Sequence, residues 1–129
     1  MVTREDVESF LLRMELEYEE VGEGMWLVKG EDRGAGLVVH HSPPVLVFRL
    51  KVMEVPQDQS RCAELYRRLL EYNATDLLHA AYGLEEGDVI LTESLELENL
   101  DFNEFQATVD SFQLAVAAHM ESLAPYENC

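Results

Sequence analysis

The alternation of apolar and polar residues between Val45 and Val55 constrains the fold of this chain more than any other feature. One parity is entirely apolar: Leu46, Phe48, Leu50 and Val52. The other parity is mixed: Val45, Val47, Arg49, Lys51 and Met53. Successive side chains of a strand point to opposite faces, so this pattern predicts a long strand in an antiparallel sheet with one buried side. Pro56 is expected to end it.

Four further strands are predicted at Met25–Lys29, Gly36–His41, about 77–83 and about 88–95. The first two are joined by a turn at Glu31–Gly34, and the last two form a hairpin through Leu84–Asp88. The acidic stretch Glu17–Glu23 is expected to open a short strand. Glu93 interrupts the apolar parity of the last strand, which indicates either a bulge or a position near a sheet edge.

Three amphipathic helices are predicted, over 3–16, about 60–72 and Asp101 to about 123. Thr3, Asp58 or Ser60, and Asp101 are suited to cap their first turns, and Asn73 is expected to end the second helix. The order is therefore α-β-β-β-α-β-β-α, typical of an α+β domain with an antiparallel sheet. With 129 residues, 47% of them hydrophobic, residues 1–129 are predicted to form one domain.

Acidic residues dominate the charge and are unevenly placed. The chain has 26 Asp and Glu against 9 Lys and Arg, a net charge of −17, and no basic residue follows Arg68. This balance argues against direct binding to nucleic acid or to anionic membranes. The acidic second half is a solvated surface, a docking surface for a basic or amphipathic partner, or a divalent-metal site.

No catalytic or metal-binding set emerges from the sequence, and no cofactor is predicted. His40 and His41 are adjacent in a strand and so point to opposite faces, while His119 is expected on the surface of the last helix. Cys62 and Cys129 are interpreted as reduced thiols, and no secretion signal is visible, which favours the cytoplasm. The alternative is a small-ligand or metal-dependent enzyme that uses Glu93 and a histidine in a sheet pocket.

The segment Asn73–Phe105 resembles the YbjN-like family, which is similar in fold to the class I type III secretion chaperones of the Tir-chaperone type. The matching features are Asn73, the strand Ala80–Gly83, the acidic turn Glu85–Asp88, the strand Val89–Leu91 and the run Glu96–Asp101 before the last helix. The resemblance implies an α+β module that often dimerises and holds partner polypeptides, or that acts as a regulator. None of these motifs is catalytic.

The function predicted from these observations is non-enzymatic binding of another protein by a homodimer. Two surfaces are candidates for partner or dimer contacts. One is the apolar face of the first helix: Val7, Phe10, Leu11 and Met14. The other is the mixed face of the long strand: Val45, Val47, Arg49, Lys51 and Met53. Arg49 and Lys51 are expected to pair across the dimer interface with acids of the second half.

Overall fold

A computed structural model describes residues 1–29 and 36–127 of the chain. Its elements are α1 (Arg4–Arg13), β1 (Tyr18–Gly22), β2 (Met25–Val28), β3 (Leu37–Ser42), β4 (Val45–Glu54), α2 (Gln59–Thr75), β5 (Ala81–Glu85), β6 (Asp88–Glu96), α3 (Phe102–Leu123) and a 3₁₀ turn (Ala124–Tyr126). The order agrees with the predicted one except that β1 is a complete additional strand. The predicted turn at Glu31–Gly34 lies outside the described residues.

The six strands form one antiparallel sheet in the order β1-β2-β3-β4-β6-β5. The long strand β4 lies near the middle, and it pairs with β6 along its length and with β3 from Val45 to Leu50. The β5–β6 hairpin closes through Glu86 and Gly87, whose φ angles of 49° and 85° are both positive. Two positive φ values define a type I′ turn, which matches the twist of antiparallel strands.

The apolar parity of β4 faces the core, as predicted, but it changes phase near the end of the strand. Leu46, Phe48 and Leu50 are buried, whereas the next buried residue is Met53 rather than Val52. The pairing with β6 shifts between Lys51 and Met53, so one residue of β4 is extra. This bulge turns Met53 inward, and the prediction that it belongs to the outer, mixed face is wrong.

All three helices contribute to a core on the inner face of the sheet. Phe48 of β4 contacts two rings of α3, Phe105 at 5.7 Å and Phe112 at 6.1 Å between ring centroids. From α1, Phe10 packs at 5.3 Å against Phe105. In α2, Leu65 is buried in the same cluster. None of the described helices is both long and apolar enough to cross a bilayer.

Side chains cap the three helices where the sequence indicates. Thr3 and Asp6 form a reciprocal capping box on α1, Asp58 accepts a hydrogen bond from the amide of Ser60, and Asp101 accepts one from the amide of Glu104. These contacts satisfy amides that have no partner within the helix. All three predicted N-terminal caps are therefore confirmed.

Asn73 does not end α2, which continues to Thr75. The Asn73 side chain instead bonds the backbone of Tyr82 in β5 twice. Its carbonyl oxygen accepts from the Tyr82 amide at 2.7 Å, and its amino group donates to the Tyr82 carbonyl at 3.2 Å. A side-chain amide carries the same donor and acceptor as a peptide group, so Asn73 ties α2 to β5.

Candidate protein-binding surfaces

The outer face of the sheet carries an apolar patch that we call the outer strip. It consists of Met25, Leu27, Val38, Val45 and Val47, all only partly buried. The residues between them on the same strands point inward, and Trp26, Val39 and Leu46 among them are fully buried under the helices. The register places Leu27 beside Val38, and Met25 beside His40, which lies beside Val47. Leu27 and Val38 are thus direct neighbours across two strands, whereas the polar side chain of His40 separates Met25 from Val47.

The other end of the outer face is charged, and its ion pairs lie within the chain. Arg49 contacts Glu85 of β5 at 2.9 Å, and Lys51 lies 3.5 Å from Asp88 and 3.7 Å from Glu54. Two of these three acids belong to the second half of the chain, as predicted, but the pairs form within one chain and not across a dimer interface. The exposed fractions of these side chains range from 32% for Asp88 to 80% for Glu54, so each pair contributes at most about 1 kcal/mol.

The apolar face of α1 is divided between core and surface. Val7 and Leu11 are fully buried, while Phe10 and Met14 are partly buried and pack against the core. A partner could reach Val7 and Leu11 only if α1 left the sheet. The predicted contact residues that face outward in this structure are thus Val45, Val47, Arg49 and Lys51.

His119 is buried, which contradicts its predicted place on the surface of the last helix. Only 3% of the residue is exposed, and its ring stacks on Tyr72 of α2 at 3.7 Å and 4°. Nε2 lies 3.0 Å from Asp76 Oδ2, and Nδ1 lies 2.7 Å from the Tyr82 hydroxyl. A carboxylate only accepts, so Nε2 carries a hydrogen and donates it to Asp76, while Nδ1 and the Tyr82 hydroxyl share the second hydrogen bond.

The network of Asp76, His119 and Tyr82 joins α2, α3 and β5. The hydrogen bond from His119 holds the pKa of Asp76 below its usual range, and burial raises the pKa of Tyr82. The phase of α3 could have indicated that His119 is buried, because it follows Phe112 and Ala115 at helical spacing. Its partners lie 43 and 37 residues away, and no local pattern indicates them.

A groove lies beside this network, between the end of α2 and α3. We call it the α2–α3 groove, and its volume is about 360 Å³. Its lining residues are mostly apolar or small: Asp76, Leu77, Leu78, Ser111, Leu114, Ala115, Ala118 and His119. Leu78 and Leu114 are 88% and 69% exposed, although both are large and apolar. Sequence patterning does not predict this groove, because it depends on how α2 and α3 pack.

The structure does not assemble the enzyme alternative among its described residues. Glu93 lies on the inner face opposite Phe48, and its carboxylate accepts from the amide of Ser94 at 2.9 Å rather than meeting a histidine. His41 bonds the carbonyl of Val2 at 3.0 Å. Within residues 1–29 and 36–127, no three His, Cys, Asp or Glu side chains form a metal-binding group.

Comparison with known proteins gives one family and several similar folds. The family model CesT_Tir_1 matches residues 1–128. No curated protein sequence matches the chain.

The fold is similar to three solved structures at low sequence identity. A chain of the heterodimeric ExoU–SpcU complex of the Pseudomonas aeruginosa type III secretion system is 14% identical, covering 95% of this chain and 98% of that one, with a TM-score of 0.70. YbjN, a putative transcription regulator from E. coli, is 12% identical over 93% and 97%, with a TM-score of 0.64. A structure of the Yersinia pestis type III secretion chaperone SycH with a fragment of YscM2 is 16% identical over 90% and 98%, also at 0.64.

Proposed function

Because this chain belongs to the CesT_Tir_1 family of type III secretion chaperones, we propose that it is a non-enzymatic, chaperone-like module that binds another protein and acts as a homodimer. Two of the similar structures are of complexes with another protein, which supports a protein partner. We propose further that residues 1–129 act as one domain in the cytoplasm.

The outer strip is the observation that carries the dimer proposal. Its five apolar side chains lie on the outer faces of β2, β3 and β4, and none of them belongs to the core cluster beneath the helices. An apolar patch of this kind on a small protein marks an interaction surface. A second copy placed on the strip would bury it against the same residues, as a two-fold interface requires.

The dimer is tested by introducing charge into the strip. We expect wild type to sediment at twice the chain mass of 14.7 kDa, and Val38→Asp and Val47→Asp to sediment as monomers. Met53→Asp is unsuitable because Met53 is 6% exposed and belongs to the core. Leu84→Asp is the matched control, since Leu84 is 53% exposed on β5 and outside the strip. Circular dichroism verifies that each variant is folded.

A monomeric wild type, or folded strip variants that remain dimeric, would exclude the strip as the dimer interface. The binding function is tested separately by affinity capture from the source cells, followed by measurement of the mass of the purified complex. We expect one protein in stoichiometric amount. A folded chain that captures none would contradict the chaperone-like function whatever its oligomeric state.

A further inference from the structure

We propose that the α2–α3 groove is a docking site for a basic amphipathic helix of the protein partner, an inference that rests on the proposed binding function. The groove lies on the helical side of the molecule and the outer strip on the open face of the sheet. The chain would therefore hold a partner at a place distinct from the proposed dimer contact.

The shape of the groove fits a helix. Ser111, Ala115 and Ala118 follow one another at i, i+4 and i+7 on α3, so small side chains form a channel along this helix. Leu114 and Leu78 stand at its sides, and both are mostly exposed. Helix-in-groove recognition needs such a channel between apolar walls, into which anchors at i, i+3, i+4 and i+7 can insert.

The charge around the groove selects a basic partner. Asp110 and Glu121 lie four residues before and seven after Leu114, and therefore on the same side of α3. Asp76 is on the opposite wall, and the side chain of this aspartate is 46% exposed. The chain has no lysine or arginine after Arg68, so residues 69–129 offer neither of these side chains to the carboxylates. Complementary charge favours the approach of a lysine- or arginine-rich helix and fixes its orientation.

The floor of the groove is held rigid before any partner arrives. His119 is fixed by hydrogen bonds to Asp76 and Tyr82 and by its stacking on Tyr72. Since these contacts connect α2, α3 and β5, the two walls cannot easily move apart. A preformed groove avoids the cost of ordering its residues on binding.

The test uses a synthetic amphipathic helix of about 18 residues made of leucine and lysine, long enough to be helical once bound. A scrambled peptide of the same composition controls for attraction by net charge alone. Titration calorimetry at about 0.15 M salt, where long-range charge effects are largely screened, gives the affinity. Methyl NMR spectra of leucine and alanine locate the binding site.

We expect the amphipathic peptide to shift the methyl signals of Leu78, Leu114 and Ala118, and the scrambled peptide to bind at least about tenfold more weakly. Leu114→Glu should lower the affinity for the amphipathic peptide by about tenfold or more, as truncation of a central anchor residue does. Leu12→Glu is the matched control, because Leu12 is 64% exposed on α1 and receives the same charge. Its affinity should equal that of wild type.

Four results would overturn the groove proposal. If the Leu114→Glu and Leu12→Glu variants bind the amphipathic peptide with equal affinity, the peptide does not use the groove. Methyl shifts confined to the outer strip would place the helix elsewhere. A change in sedimenting mass caused by Leu114→Glu would assign the groove to a second copy of the chain. If wild type captures its partner from cells but the peptide does not bind, this inference fails and the proposed function stands.

Discussion

The buried bond between His119 and Tyr82 gives a quantitative prediction about folding. His119→Phe keeps a ring of similar size against Tyr72, so it removes the polar contacts without leaving a large cavity. Tyr82→Phe removes the hydroxyl alone. In each single variant a buried polar atom loses its partner, whereas in the double variant both polar atoms are gone.

The expected loss of unfolding free energy depends on how many buried polar atoms are left without a hydrogen-bond partner. A buried hydroxyl or ring nitrogen left without a partner costs about 1–3 kcal/mol, so we expect each single variant to lose about 2 kcal/mol of unfolding free energy. Replacing both partners with apolar groups is much less costly. The double variant should therefore lose only about 1–2 kcal/mol, which is less than the sum of the single losses by a coupling energy of about 2–3 kcal/mol.

Urea unfolding of the four proteins measures this coupling. With a slope of about 2 kcal/mol per molar urea, a loss of about 2 kcal/mol lowers the midpoint by about 1 M. Single effects that add to within about 0.5 kcal/mol would show that the hydrogen bond does not couple the two residues. Such a result would refute the network as a stabilising contact between α3 and β5.

Two further predictions concern the hairpin turn and acid stability. Gly87→Ala should lower the unfolding free energy by about 1–2 kcal/mol because a φ of +85° is strained for alanine, although no atom would clash with the new Cβ. Gly22→Ala is the control, since the backbone at Gly22 has no positive φ and the substitution should not lower the unfolding free energy in this way. Equal urea midpoints for the two variants would contradict the prediction. The hydroxyl and amide of Ser60 hold the pKa of Asp58 below its usual range. The stability that this carboxylate adds to the folded state is therefore present above the pKa of the unfolded chain, and it is lost as the pH falls through the pKa of the folded state. Asp58→Asn still caps the helix but cannot titrate, so its urea midpoint should decrease less than that of wild type between about pH 5 and pH 2. The same decrease in both proteins would disprove the role of this carboxylate.

Features that depend on local periodicity could be predicted from the sequence. The inner face of β4 follows from its period of two, and the extent of α3 follows from apolar steps of three and four residues. The cap at Asp101 was predictable because its side chain needs only the adjacent turn. The α+β class follows because a sheet with one apolar face requires helices to cover it.

Features that depend on distant parts of the chain could not be predicted in the same way. The bulge that turns Met53 inward arises from the register against β6, which the sequence of β4 alone does not determine. The helix extends past Asn73 because this side chain finds its partners in β5 rather than in its own last turn. The ion pairs of Arg49 and Lys51 lie within the chain because β5 and β6 bring acids beside β4.

The two hydrogen bonds between the Asn73 side chain and the Tyr82 backbone affect how copies of this sheet could add to one another. An edge strand of a sheet can pair with a strand from another molecule, and a fibre forms when both edge strands of each sheet do so. At the β5 edge, the amide and carbonyl of Tyr82 are already occupied by a helix of the same molecule. Recruitment is thus obstructed at the Tyr82 position of this edge, which leaves β1 as the more accessible edge of each chain for the addition of a strand.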